Sequence, residues 1–165
     1  MNDTTHSTDS SLREQVIEHL FVGELLRCLW CRGRRDIEVL RSEVDRAGYD
    51  VVVEAGGIMR HIQLKSSFKG AKTARVSINI SLADKPGGCV VWVYFDPSSM
   101  ELGPFLWFGG EPGARLPPLG DRVGKHTKGD QTGKKAERPN IRILNKGEFS
   151  KLETVDAVAQ ALFGT

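Results

Sequence analysis

Hydrophobic and polar positions follow a helical period near both ends of the chain and a strand period between them. Ser11-Leu12-Arg13-Glu14 fits a capping box, and apolar residues at helical spacing extend the predicted helix from residue 11 to about residue 31. A second amphipathic helix is predicted over Leu152–Phe163. Separate strands are predicted at Ile37–Leu40, Cys89–Phe95, Phe105–Phe108 and Asn140–Leu144. This order of elements predicts an α/β or α+β fold in which a mixed central β-sheet is flanked by helices.

Two β-prone runs separated by Gly56-Gly57 predict a β-hairpin between residues 49 and 67. The valines at 51–53 form the first run, and isoleucines and a leucine mark the second. Two glycines suit a two-residue turn because they adopt positive φ angles without strain. If these glycines form the turn, Ala55 pairs with Ile58.

This register predicts a group of polar side chains at the open end of the hairpin. Asp50 would lie opposite Gln63, and strand alternation would bring Lys65 onto the face of Gln63. A carboxylate, an amide oxygen and an ammonium would then converge, which suits a hard cation beside a phosphate. An ordinary salt-bridged sheet surface is the alternative interpretation of the same residues.

The residues Asp50 and Gln63-Leu64-Lys65 resemble the core motif of the PD-(D/E)XK nuclease superfamily, which has the restriction-endonuclease-like fold. Tyr49 stands where that motif often has Pro, and Gln63 replaces the acid, as in the Mrr-like branches. The resemblance implies hydrolysis of phosphodiesters with Mg²⁺ or Mn²⁺. The metal ligands would be Asp50, the amide oxygen of Gln63 and the backbone carbonyl of Leu64, and Lys65 would orient the attacking water or stabilise the transition state.

The same resemblance implies an acid from the first helix, and Glu24 is the best match. In one interpretation Glu24 projects toward the strand ends and completes the metal shell. In the other it borders the apolar stripe and pairs with Arg27. The pattern leaves both open.

Hydroxyl and basic side chains follow the hairpin in two groups. The first group comprises Ser66, Ser67, Lys69 and Lys72, and the second, in a Gly- and Pro-rich stretch at about 109–139, includes Lys125, Lys128, Lys134 and Lys135. These residues are predicted to contact the phosphates of a nucleic acid. The alternatives are ordinary strand-end serines and a solvated long loop or partly disordered insert.

Length and composition limit the class of protein. The chain has 165 residues, a formal net charge of +2 and three cysteines. One domain at 11–165 is expected after a disordered tail at 1–10. No apolar run is long enough to span a membrane and no signal peptide is present, so we expect a cytoplasmic protein without a membrane partner. Residues 76–85 alternate like a strand, although a helix there is also possible.

The predicted function is a metal-dependent nuclease that acts on DNA, with a homodimer as a possible assembly. The first alternative is a nucleic-acid-binding or assembly module that has the same fold without efficient chemistry. The second alternative is an unrelated small protein whose basic loop is only a linker. Metal binding that depends on Asp50 distinguishes the nuclease from the binding module. Affinity for DNA at low salt excludes the unrelated small protein.

Overall fold

The computed structural model describes residues 9–44 and 46–164 of the chain. Within this part, one α-helix precedes a series of nine strands along the chain and a second α-helix follows them. Helix α1 spans Ser10–Cys31, and helix α2 spans Val155–Phe163. Two short 3-10 helices lie at Ile80–Asp84 and Lys146–Glu148. The strands are β1 (Ile37–Arg41), β2 (Val51–Ala55), β3 (Ile58–Phe68), β4 (Arg75–Asn79), β5 (Gly88–Phe95), β6 (Leu102–Gly109), β7 (Val123–Lys125), β8 (Glu137–Asn145) and β9 (Ser150–Leu152).

The strands form two sheets. The main sheet has six strands in the order β1-β2-β3-β5-β6-β9. Its β3 and β5 run parallel and its other neighbours are antiparallel, so the sheet is mixed. The second sheet has the order β4-β8-β7 and is antiparallel. The predicted α+β class with a mixed central sheet is therefore confirmed.

The two faces of the main sheet are covered by different elements. Both helices pack on one face, where α1 buries Phe21 and Leu25 against alternate residues of β5, including Val91. The opposite face packs on the second sheet through the remaining residues of β5, including Trp92. The result is three layers, with β5 buried on both faces as expected for a continuous apolar strand.

The central hairpin has the predicted turn. Gly56 and Gly57 have φ angles of 61° and 73°, and Ala55 pairs with Ile58. Strand β2 has 5 residues whereas β3 has 11, so the second half of β3 extends past the end of β2. This extension leaves one edge of β3 without a neighbouring strand and creates the site described below.

The segment from 76 to 85 combines strand and helical structure. Strand β4 ends at Asn79, and a 3-10 helix follows over Ile80–Asp84. The side chain of Asn79 accepts a hydrogen bond from the backbone N–H of Ser81 at 3.0 Å, which caps the short helix. Neither a strand nor a helix, the two predicted alternatives, is right for the whole segment, because the strand ends at the residue that caps the 3-10 helix.

The segment at 109–139 is mostly loop, as predicted, but it also contains strand residues. Strand β7 lies inside it, and β8 begins at Glu137 instead of the predicted Asn140. Pro139 is tolerated in β8 because β4 pairs only with Ile141–Asn145 and the β7 pairing has a register shift at Val123/Gly124. Proline is compatible with such interrupted pairing, and it masked the strand in the sequence pattern.

The ends of the chain differ from the prediction in two ways. Helix α1 begins at Ser10 with Asp9 at the N-cap position, so the predicted capping box at Ser11 is wrong. Helix α2 begins at Val155 because Thr154 caps it, accepting a hydrogen bond from the N–H of Ala157 at 3.2 Å. The predicted disordered tail lies outside the described residues except for positions 9 and 10. Neither described helix is long and apolar enough to cross a membrane.

Candidate active site

A cavity of about 520 Å³ lies along the part of β3 that extends beyond β2. The N-terminal half of α1 forms one wall, and the segment that leads into β4 forms another. The lining residues are Ser11, Arg13, Glu14, Gln15, Ile17 and Glu18 from α1, Asp50 before β2, Gln63, Leu64, Lys65, Ser66 and Ser67 from β3, and Thr73 and Val76. The structure thus brings together Asp50, Gln63, Leu64 and Lys65, the four residues of the predicted motif.

Asp50 lies immediately before β2, where regular pairing with β3 has ended. The last pair of the ladder is Val51–Ile62, so Asp50 and Gln63 are not a regular cross-strand pair. The backbone N–H of Asp50 donates to the Ile62 carbonyl at 2.9 Å, and the N–H of Leu64 donates to Asp50 Oδ2 at 2.6 Å. The Asp50 carboxylate therefore accepts the Leu64 N–H, which a backbone carbonyl would accept if the ladder continued. This places the carboxylate beside the peptide that joins Gln63 to Leu64.

Gln63 presents an oxygen that lacks a hydrogen-bond donor. Its side chain is 9% exposed, and no hydrogen-bond partner of the buried Oε1 is found among the described residues. Leaving a buried acceptor unsatisfied costs about 1–3 kcal/mol. A ligand that fills the cavity and interacts with this oxygen would recover that cost.

The backbone carbonyl of Leu64 lies at the same edge. In a strand, the N–H and C=O of one residue point to the same side, and the Leu64 N–H points to Asp50. The three residues that carry the predicted oxygen ligands, Asp50, Gln63 and Leu64, all line the cavity. Lys65 also lines the cavity, on the face of β3 that carries Gln63.

The acids that α1 contributes to the cavity are Glu14 and Glu18. Glu18 Oε1 accepts from Arg41 Nε at 2.7 Å, whereas no ion pair of Glu14 is found within residues 9–44 and 46–164. Glu24 is not among the lining residues. It lies ten residues after Glu14, about 15 Å along the helix axis.

Glu24 has a different environment from the cavity. Burial raises the pKa of Glu24, the charge of Arg27 lowers it, and the charge of Glu101 raises it. The structure therefore does not bring Glu24 together with the motif residues. A signal for Glu14 was present in the sequence, because Glu14, Ile17 and Phe21 share the spacing of one helix face, but the predicted capping role concealed it.

The first group of predicted phosphate-binding residues divides between the cavity and the surface. Ser66 and Ser67 line the cavity, and Ser67 Oγ accepts a hydrogen bond from Trp92 Nε1 at 3.0 Å. Lys69 and Lys72 lie in the exposed loop after β3 and are not lining residues. Their ammonium groups add positive charge next to this end of the cavity.

The second group lies on the hairpin formed by β7 and β8. Lys125, Lys134 and Lys135 border an open surface depression together with Glu137, and Lys128 is exposed in the connecting loop. These side chains form a basic group that is separate from the cavity.

The separation between the two groups follows from strand geometry. Val76 lines the cavity and pairs with Leu144, whereas Lys125 pairs with Glu137. Leu144 and Glu137 lie near opposite ends of β8, with the register shift of the β7–β8 pairing between them. A ligand that contacts both places must therefore be extended.

The oxygen-bearing groups suit a hard divalent cation. Mg²⁺ is held by carboxylate and carbonyl oxygens and keeps several waters, so the Asp50 carboxylate, Gln63 Oε1 and the Leu64 carbonyl fit it. The site is weak in charge, because no group of three or more His, Cys, Asp or Glu residues that could hold a metal exists in the described part of the chain.

Comparisons with known proteins give little further information. No family model matches the chain, and no curated protein matches it. Among solved structures, the chain is similar to the bacterial homing endonuclease I-Ssp6803I, with 21% sequence identity and a TM-score of 0.35. The match covers 62% of this chain and 64% of that chain. At this level the likeness carries no argument about chemistry.

Proposed function

We propose that the protein is a metal-dependent nuclease that hydrolyses phosphodiester bonds of DNA at the cavity beside β3. The observation that carries this proposal is the buried Gln63 Oε1, which has no hydrogen-bond partner within residues 9–44 and 46–164 and shares the cavity with a carboxylate that accepts from the Leu64 N–H at 2.6 Å. An oxygen in this position costs stability unless it has a ligand. The PD-(D/E)XK-like motif assigns the same residues to a metal.

Asp50, Gln63 Oε1 and the Leu64 carbonyl would hold Mg²⁺ or Mn²⁺. When bound, such a cation lowers the pKa of a coordinated water and offsets negative charge on the phosphate. Glu14 is the acid of α1 best suited to add a second negative charge, because it lines the cavity and Glu18 is paired with Arg41.

Lys65 would act on the reacting phosphate. An ammonium group only donates hydrogen bonds, so Lys65 would orient the oxygen of the attacking water or bind a phosphate oxygen whose negative charge increases in the transition state. Donors placed where charge develops are an effective source of rate acceleration.

The two basic groups would bind the phosphate backbone on either side of the chemistry. Lys69 and Lys72 are close to the cavity, and Lys125, Lys128, Lys134 and Lys135 lie on the β7–β8 hairpin.

The first experiment measures cleavage of plasmid and single-stranded DNA with Mg²⁺ or Mn²⁺. We expect Asp50→Asn and Lys65→Ala to abolish metal-dependent cleavage and Lys151→Ala to preserve it. Lys151 is a matched control because it lies on β9 and pairs with Glu153 at 2.8 Å, away from the cavity. Cleavage that all three variants retain equally would contradict the assignment.

The second candidate function is a nucleic-acid-binding module without efficient chemistry. The neutral Gln63 favours it, because Asp50 is the only acid in the predicted ligand set near β3. This candidate predicts salt-dependent DNA binding that is weakened by Lys134→Ala and Lys135→Ala, without cleavage under any metal condition. Fluorescence anisotropy with labelled DNA measures the binding, and electrophoresis of the same samples measures the cleavage.

A further inference from the structure

A buried hydrogen bond connects the wall of the cavity to the core behind it. Trp92 Nε1 donates to Ser67 Oγ at 3.0 Å. Trp92 is fully buried and Ser67 is 8% exposed, yet Ser67 still lines the cavity. The indole packs among Tyr94 and Phe149, with ring centroids at 5.9 Å and 5.5 Å, so its N–H has a defined direction.

This contact determines what the Ser67 hydroxyl can do. An indole N–H is only a donor, so Ser67 Oγ must be the acceptor and its own hydrogen must point elsewhere. Within residues 9–44 and 46–164, no side-chain hydrogen bond of Ser67 is found other than the one from Trp92. The hydroxyl hydrogen is therefore available to an acceptor in the cavity, and the oxygen that carries it cannot move freely.

The position of Ser67 along β3 indicates which acceptor it would meet. Gln63, Lys65 and Ser67 alternate on one face, in register with Val90, Trp92 and Tyr94 of β5. Neighbours in this row are about 6.7 Å apart, so Ser67 lies about 13 Å from Gln63 along the strand. A phosphate held at Asp50 and Gln63 is too distant for a hydrogen bond to Ser67.

We propose that Ser67, oriented by Trp92, is a positioning residue that donates its hydroxyl hydrogen to a phosphate neighbouring the one that is cleaved. The substrate is then a strand that continues past the reacting bond, and a single phosphodiester lacks the group that Ser67 recognises. This inference rests on the proposed nuclease function.

The test compares two substrates of the full-length protein. One is a single-stranded oligonucleotide, and the other is bis(p-nitrophenyl) phosphate, which has one phosphate and no neighbour. We expect Ser67→Ala to raise KM for the oligonucleotide about tenfold or more without changing kcat, because a hydrogen bond to a charged group is lost. The kinetic constants for bis(p-nitrophenyl) phosphate should not change.

Three further variants separate positioning from folding. Ser67→Thr keeps the hydroxyl and should restore the oligonucleotide KM. The double variant Ser67→Ala with Trp92→Phe leaves no unpaired indole N–H and should show the same KM increase as Ser67→Ala. Ser77→Ala, at an exposed position of β4, is the matched control and should behave as the wild type.

The outcomes distinguish this inference from the proposed function. An equal effect of Ser67→Ala on both substrates, or no effect on the oligonucleotide, overturns the role of Ser67. If the wild type cleaves neither substrate, the proposed chemistry fails. In that case, the affinity for the oligonucleotide, measured by fluorescence anisotropy with Ca²⁺, decides the role of Ser67. Weaker binding by Ser67→Ala than by the wild type supports this role. Equal binding by the two proteins, or no binding by the wild type, overturns it.

Discussion

Replacing Gln63 by Glu is a direct test of the metal site because it adds one negative charge in place of an unpartnered oxygen. The substitution preserves the shape of the side chain. Asp50 Oδ2 lies 2.6 Å from the N–H nitrogen of Leu64, in the peptide that follows Gln63. A carboxylate at position 63 would line the same cavity as the Asp50 carboxylate.

The magnitude follows from Coulomb's law. At about 6 Å and an effective dielectric constant of about 20, two negative charges repel by about 3 kcal/mol. Without metal, this repulsion lowers the free energy of unfolding or raises the pKa of one carboxyl by up to about two units. A raised pKa means that the penalty is present at high pH and disappears as the pH falls through that pKa.

A divalent cation between the two carboxylates converts this repulsion into attraction. Because about 1 kcal/mol changes the melting temperature of a domain of this size by about 2–4 °C, Gln63→Glu should lower Tm by up to about 6–12 °C in EDTA at about pH 8. Adding Mg²⁺ should reverse most of that loss, whereas the wild type should show a smaller increase.

The assay is thermal unfolding by circular dichroism across a MgCl₂ titration, at about pH 8 and about pH 5. Gln160→Glu provides the same change of charge at an exposed position of α2. If Gln63→Glu and Gln160→Glu respond equally to Mg²⁺, no cation binds between Asp50 and position 63, and the reasoning that places the metal there is refuted.

Three other predictions concern separate parts of the molecule. Glu14→Gln should raise the Mg²⁺ concentration needed for half-maximal cleavage while Glu24→Gln does not, and metal titrations showing the reverse would restore Glu24 as the helix acid. Arg60→Met should lower the free energy of unfolding, measured by urea denaturation, by about 3 kcal/mol or more. The reason is that the fully buried guanidinium donates to three carbonyl oxygens, two of them at the end of α2. A decrease below about 1 kcal/mol would contradict this. Burial and a hydrogen bond to a carboxylate of α2 raise the pKa of Cys28 to about 11, so iodoacetamide at about pH 8 should modify the exposed Cys31 and not Cys28, as mass spectrometry of the peptides will show.

The amino-acid sequence alone was enough to predict the elements whose signals are local. The hairpin was predictable because Gly56-Gly57 supply two positive φ angles and β-branched residues flank them. Strand β5 was predictable because an uninterrupted apolar run suits a strand buried on both faces. The position of Asp50, Gln63 and Lys65 near one end of the hairpin was predictable from the hairpin register together with strand alternation.

Features that depend on residues distant in the chain could be seen only in the folded protein. Which acids of α1 line the cavity with Asp50 depends on where the helix crosses the sheet, and that crossing is set by the packing of the whole apolar layer. The second sheet arises because β4 pairs with β8 about seventy residues later, so no local pattern indicates it. The Trp92–Ser67 bond likewise joins two strands that only the parallel β3–β5 pairing brings together, and this pairing shapes the wall of the site.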